Sequence, residues 1–140
     1  MTLDELYASF PGNIEVDYFM FEHAESLSAP IGNGYVIAID PTKIRGSADE
    51  KEKAAHEGGH CYTGSFYSPG EEFFMRQRYE NRADAWAIKK LVPKDELDAA
   101  RKKGYTELWE LAEHFGVTED LMKKALCWYT YGNLATDMYC

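Results

Sequence analysis

Five consecutive residues, His56, Glu57, Gly58, Gly59 and His60, constrain this chain more than anything else in it. Two imidazoles four residues apart meet a common partner only if the backbone between them is helical, which brings positions i and i+4 to one face about one turn apart. Two neutral imidazoles so placed can share one metal ion, and the segment matches the pattern H-E-x-x-H. Glu57 lies one residue along from the first imidazole, rotated away from the metal but close enough to take a proton from a water activated there, which is the task of a general base in hydrolysis. Zinc needs a third protein ligand, so a second element must come close to this helix.

The two glycines carry information of their own. Gly58 and Gly59 fall in the middle of the expected helix, where each costs about 1 kcal/mol relative to alanine. Close approach of another backbone at that point would explain them. A surface helix with two solvated histidines would leave both glycines unexplained. Cys61 is turned about 100° from His60 around the helix and reads as a buried thiol rather than a ligand.

Glu80 and Asp84 share one face of the next expected helix at i, i+4 spacing, flanked by the small residues Ala83 and Ala87. Small side chains let two helices come together. A carboxylate at Glu80 completes a set of two His and one Glu that leaves zinc a fourth position for water, and Asp84 can accept the distal N–H of a ligating imidazole. With one carboxylate and neutral imidazoles the centre keeps net positive charge, which acidifies water and polarises a carbonyl.

The rest of the chain sets bounds. Its 140 residues suit one domain, with residues 1–104 carrying the sheet and the metal-site helices and residues 105–140 a C-terminal helical part. The N-terminus lacks the basic and apolar regions of a signal peptide and no apolar run could span a bilayer, so a cytoplasmic protein is expected. Cys61, Cys127 and Cys140 are odd in number and show no C-x-x-C spacing, which favours reduced thiols over a disulfide framework or thiolate cage. A formal net charge of −9 repels phosphate and attracts basic partners, which counts against nucleic acid as a ligand.

Periodicity predicts the order of elements. Thr2 and Glu5 have capping-box spacing before a short helix that Pro11 and Gly12 stop. Ile14, Val16 and Tyr18 alternate with acidic residues as in a strand with one wet face, while Tyr35 to Ile39 is apolar throughout and suits a buried strand, with Asn33 and Gly34 as a turn. Ser47 and Glu50 have the spacing of a second capping box, opening a helix to Thr63; Ser68, Pro69 and Glu71 suggest the start of a long helix to about Leu91. Three further helices follow, roughly Asp95–Lys103, Glu107–His114 and Glu119–Tyr129, with Gly104 and Gly116 as stops. Strands first and helices later indicate an α+β fold, a zincin-like domain with a short antiparallel sheet packed against the H-E-x-x-H helix and several more helices.

H-E-x-x-H followed after about twenty residues by Glu80, Asn81, Ala83 and Asp84 in the order E-N-x-A-D resembles the ImmA/IrrE family of metallo-endopeptidases. The resemblance runs from the strand Tyr35–Ile39 through both motifs to Leu91, Val92 and Pro93, and more loosely into the later helices. It implies that His56, His60 and Glu80 correspond to ligands of one Zn²⁺, Glu57 to the catalytic glutamate and Asp84 to a support for the ligands. It also implies a protein substrate, since members often lie beside phage-type or mobile-element repressors and some cleave a DNA-binding repressor. At Gly58 the chain departs from the family, which usually carries a larger apolar residue such as Leu there.

Other signals weigh less. The pair of helices from Glu107 to Tyr129 has the spacing of a DNA-reading unit, but Glu107, Glu110, Glu113, Glu119 and Asp120 outnumber Lys123 and Lys124, which favours core packing. His23 and His114 are not assigned to the metal, and nothing in the spacing selects which of ten tyrosines would stabilise an oxyanion. A substrate peptide is expected to lie along a sheet edge, with Tyr35–Ile39 the candidate strand. Besides zinc-dependent endopeptidase, two readings stand: a zinc-stabilised protein-interaction module that does not cut, and, ranked last, a DNA-binding regulator.

Overall fold

A computed structural model describes residues 1–134. The chain opens with α1 (Leu3–Ser9), capped as expected: Thr2 Oγ1 accepts from the Glu5 backbone N–H at 3.1 Å and the Glu5 carboxylate accepts from the Thr2 N–H at 3.0 Å. Three strands follow, β1 (Ile14–Tyr18), β2 (Ser26–Ile31) and β3 (Gly34–Ile39), then a short 3-10 turn at Pro41–Lys43. The helices are α2 (Ser47–Thr63), α3 (Phe73–Leu91), α4 (Lys94–Lys102), α5 (Leu108–Phe115) and α6 (Glu119–Tyr131). The α+β class holds, and the H-E-x-x-H segment is helical throughout.

The sheet is mixed, with strand order β1-β3-β2: β3 pairs parallel with β1 and antiparallel with β2. The apolar run Tyr35–Ile39 is therefore the central strand, and its Ile37 and Ile39 are fully buried. β2 escapes pattern reading because its two serines and Pro30 do not resemble a strand core, and it lies at an edge, the one place where a proline is tolerated. A two-residue turn joins β2 to β3 with Gly32 at φ +57°, one residue earlier than the Asn33–Gly34 turn expected. The parallel pairing arises because residues 19–25 arch over the end of β3: the Phe19 N–H donates to Ile39 O at 2.9 Å and the Asp40 N–H to Glu25 O at 2.9 Å. Asp40 anchors the arch. Its buried carboxylate accepts from the Thr42 hydroxyl (2.6 Å), the Phe21 N–H (3.0 Å) and the Thr42 N–H (2.9 Å), and these bonds lower its pKa to about 2.

Two helix starts differ from expectation. Ser47 is the first residue of α2 rather than its cap, and Gly46 occupies the cap. Glu50 is engaged elsewhere, accepting the hydroxyls of Tyr7 (2.6 Å) and Tyr18 (2.8 Å) and so tying α1 and β1 to α2. Ser68–Glu71 is a turn, not the first turn of α3: the Glu71 N–H donates to Ser68 O at 3.1 Å, with Pro69 and Gly70 (φ +84°) in its two central positions. Proline followed by a residue of positive φ suits a type II turn, and a helix cannot begin through it.

One apolar cluster runs from Leu6 through Ile37 and Ile39, Ala54 and Ala55, and Ile88 and Leu91 to Leu111 and Met122. Polar ties join the later helices to α2 and α3. Glu52 accepts from the Thr118 N–H (2.6 Å) and hydroxyl (3.0 Å), the Tyr129 hydroxyl donates to Val92 O (2.7 Å), and the buried Lys51 ammonium donates to Phe115 O (3.1 Å) and Met1 O (2.8 Å). Cys61 is a buried free thiol and Cys127 is buried as well; Cys140 lies outside the described residues.

Candidate metal centre

α2 and α3 meet at Gly59. A Cβ there would stand 2.6 Å from the carbonyl oxygen of Ala83 and 2.9 Å from its Cα, so only glycine allows this approach, as the double glycine suggested. Gly58 has a different reason. The space beside it holds the ring of Phe10, whose Cε1 and Cζ would lie 2.9 Å from an added Cβ, with Trp86 Cζ3 at 3.4 Å. An aromatic ring from just beyond α1 thus fills the space into which a larger residue at position 58 would project.

The close approach brings the expected ligands together. His56 Nε2 is 2.7 Å from Glu80 Oε2 and His60 Nε2 is 3.3 Å from the same oxygen, and one ligand atom from each of the three residues lies within 4.8 Å of the others. The second ring nitrogens are engaged: His56 Nδ1 is 2.7 Å from Asp84 Oδ1, and His60 Nδ1 is 2.7 Å from Ser65 O. A carbonyl oxygen only accepts, so His60 Nδ1 carries the hydrogen and the Nε2 of the neutral ring turns a lone pair toward Glu80; the Asp84 carboxylate imposes the same tautomer on neutral His56. Two lone pairs and a carboxylate oxygen then converge on one point, an arrangement of acceptors that requires a cation. The donor set of two imidazole nitrogens and one carboxylate oxygen fits a divalent metal ion such as zinc.

The electrostatics agree. Burial opposes a charge on His56, but its bonds to Asp84 and Glu80 outweigh burial and raise its pKa to about 10, the mark of a position that favours a cation. The imidazole of His56 bonded to it, and then that of His60 beside it, hold the Glu80 carboxyl well below the usual carboxylate range. For Asp84, burial acts upward, yet the bond to His56 prevails and its pKa falls; Lys124 Nζ lies 3.6 Å from its other oxygen.

Glu57 is buried beside the centre at the foot of a cleft of about 260 Å³ bordered by Leu27, Ser28, Phe66 and Tyr67. Its carboxylate accepts hydrogen bonds from Ser26 Oγ (2.7 Å) and Ser28 Oγ (2.6 Å), both on β2. On the rim, the Tyr67 hydroxyl donates a long bond of 3.3 Å to Glu80 Oε1, while its ring stacks against Tyr79 with centroids 6.2 Å apart. β3 is the central strand and has no free edge, which removes it as a seat for substrate. Among the described residues, the strand with an unpaired edge next to the cleft is β2.

The structure brings together His56, Glu57, His60, Glu80 and Asp84, the five residues that the sequence singles out, and sets beside them Ser26, Ser28, Ser65 and Tyr67, which the sequence does not single out. The two serines do carry a signal, since spacing of two on a strand puts both on one face, but the strand itself was not legible. Ser65 meets His60 Nδ1 with its carbonyl oxygen at 2.7 Å and its hydroxyl at 3.3 Å, and nothing in its spacing marks it in the sequence.

A helix with H-E-x-x-H, packed against a second helix that presents a carboxylate and set beside a small sheet, defines the class of metal-dependent peptidases. The family model of peptidase M78, the IrrE N-terminal-like domain, matches residues 12–126, and the chain belongs to this family. No curated protein matches the chain. Among the described residues no helix is long and apolar enough to cross a membrane.

Proposed function

We propose that this chain is a zinc-dependent endopeptidase that cuts a peptide bond in a specific regulatory protein, of the phage-type or mobile-element repressor kind that the family resemblance implies. The observation that carries the reading is the convergence of His56, His60 and Glu80, with Glu57 at the foot of the same cleft and the free edge of β2 beside it. His56, His60 and Glu80 hold one Zn²⁺ per chain, oriented by Asp84 and the Ser65 carbonyl. Zinc held there supplies Lewis acidity, which acidifies water and polarises the scissile carbonyl. The substrate pairs in extended form with β2. Glu57 takes a proton from the attacking water, whose oxygen bonds to the carbonyl carbon, and hands it to the leaving nitrogen as the C–N bond breaks. Tyr67 donates its hydroxyl hydrogen to the carbonyl oxygen as negative charge develops.

The net charge of −9 suits a basic protein partner and opposes direct binding of nucleic acid. Buried, unbridged Cys61 supports a reducing, cytoplasmic setting. The continuous apolar cluster supports treating residues 1–140 as one domain.

Metal analysis of protein purified without added metal should find about one zinc per chain, lost in His56→Ala and Glu80→Ala. Glu57→Gln should keep the zinc and retain an intact partner from the native host's lysate that the wild type cuts. A partner cut equally by Glu57→Gln overturns the mechanism, and a partner bound by both proteins but cut by neither favours the interaction-module reading.

A further inference from the structure

Ser26 and Ser28 pair across the sheet with Ile39 and Ile37, so they share the buried face of the sheet with those two residues. That face packs on α2, and there the two hydroxyls meet Glu57, one on each carboxylate oxygen, at 2.7 and 2.6 Å. Residues i and i+2 on a strand stand about 6.8 Å apart, far enough to bracket a carboxylate from both sides. Held in this way, the carboxylate cannot swing or turn about its last torsion without breaking a charge-assisted bond. A carboxylate has about four lone-pair sites, so two hydroxyls leave each oxygen able to accept from a water in the cleft. Serine is otherwise a poor choice at these positions: a small hydroxyl residue on the packed face of a strand neither fills volume nor favours the strand.

We infer that Ser26 and Ser28 are positioning residues for Glu57, so that the edge strand which seats the substrate also sets the base against it. The inference rests on the endopeptidase reading. β2 presents its open edge outward and its hydroxyls inward, which makes the base and the paired peptide two parts of one rigid body. A base within hydrogen-bond reach of the attacking water is a matter of tenths of an ångström, and a misplacement of about 1 Å costs on the order of a hundredfold in rate.

The test compares two double variants of nearly equal shape in the zinc-loaded protein. Ser26→Thr with Ser28→Thr keeps both hydroxyls, while Ser26→Val with Ser28→Val removes them. With the partner retained by Glu57→Gln as substrate, the valine pair should lower kcat by roughly 10- to 100-fold. It should leave KM within about threefold and the zinc stoichiometry unchanged, and the threonine pair should recover most of the rate. Equal rates for the two pairs, or a loss confined to KM, overturn the inference. Should the wild type cut no partner, the endopeptidase reading fails by itself, and the clamp is then read through binding of acetohydroxamic acid, a small acid whose proton Glu57 must accept. Affinity at least about fivefold weaker in the valine pair than in the threonine pair upholds the clamp, and equal affinity removes it.

Discussion

Adjacent residues in the H-E-x-x-H segment do different work, and glycine shows it best. Gly59 faces backbone, the Ala83 carbonyl at 2.6 Å from a hypothetical Cβ, whereas Gly58 faces the far end of the Phe10 ring at 2.9 Å. A ring can turn aside; a packed helix backbone cannot without moving α3. Gly59→Ala should therefore destabilise the protein by about 1–3 kcal/mol in urea unfolding and weaken metal binding as the helices separate. Gly58→Ala should stay within about 1 kcal/mol of wild type, because the gain in helix propensity offsets the displacement of the ring. Gly58→Leu should need Phe10→Ala beside it to regain stability. Cys61 gives a simpler prediction. Burial, with the Glu57 charge nearby, pushes its thiol up to about 12, so native protein at pH 8 should leave Cys61 unlabelled by iodoacetamide, and unfolding should release it.

The functional unit at the next scale is a pair of helices with a strand laid along them. α2 supplies both imidazoles and the base, α3 the third ligand and the carboxylate that fixes His56, and β2 the hydroxyls on Glu57. Asp84 reaches the centre through His56 Nδ1, while its other oxygen faces Lys124. Asp84→Asn should weaken zinc binding by about 10- to 100-fold, measured by competition with a chromophoric chelator, while leaving the helices intact by circular dichroism. Affinity unchanged from wild type would mean that packing alone holds the His56 ring. These elements also show where patterns were readable. α2 and α3 are long and carry their functional side chains at i, i+4 spacing, His56 with His60 and Glu80 with Asp84, so both are legible to within a few residues. The start of α3 was misplaced because Ser68, Pro69 and Glu71 suit a helix entry as well as the turn they form, and only Gly70 at positive φ separates the two.

Across the whole molecule, the tie between α1, β1 and α2 through Glu50 sets a pH limit. Burial, then the bond to Glu50, raises the Tyr7 pKa far above its ordinary value, and the bond to Glu50 raises that of Tyr18 as well. Tyr7 contributes its stability in full below the unfolded pKa of about 10 and loses it as pH rises further, because the unfolded chain then releases a proton that the native protein keeps. The urea midpoint should fall between about pH 8 and pH 11, and the fall should be shallower in Tyr7→Phe. An equal fall in both proteins would assign the alkaline limit to other groups.

The sequence by itself determined the helical frame, the α+β class and the five residues His56, Glu57, His60, Glu80 and Asp84. These follow from local rules, since i, i+4 spacing fixes a helix face whatever the rest of the chain does. Tertiary structure alone decided the mixed sheet, the edge position of β2, the serine pair on Glu57, the Ser65 carbonyl on His60 and the Phe10 ring beside Gly58. Each of these is a contact between segments distant in sequence or with a backbone atom, and neither periodicity nor residue type encodes such a contact until the chain has packed.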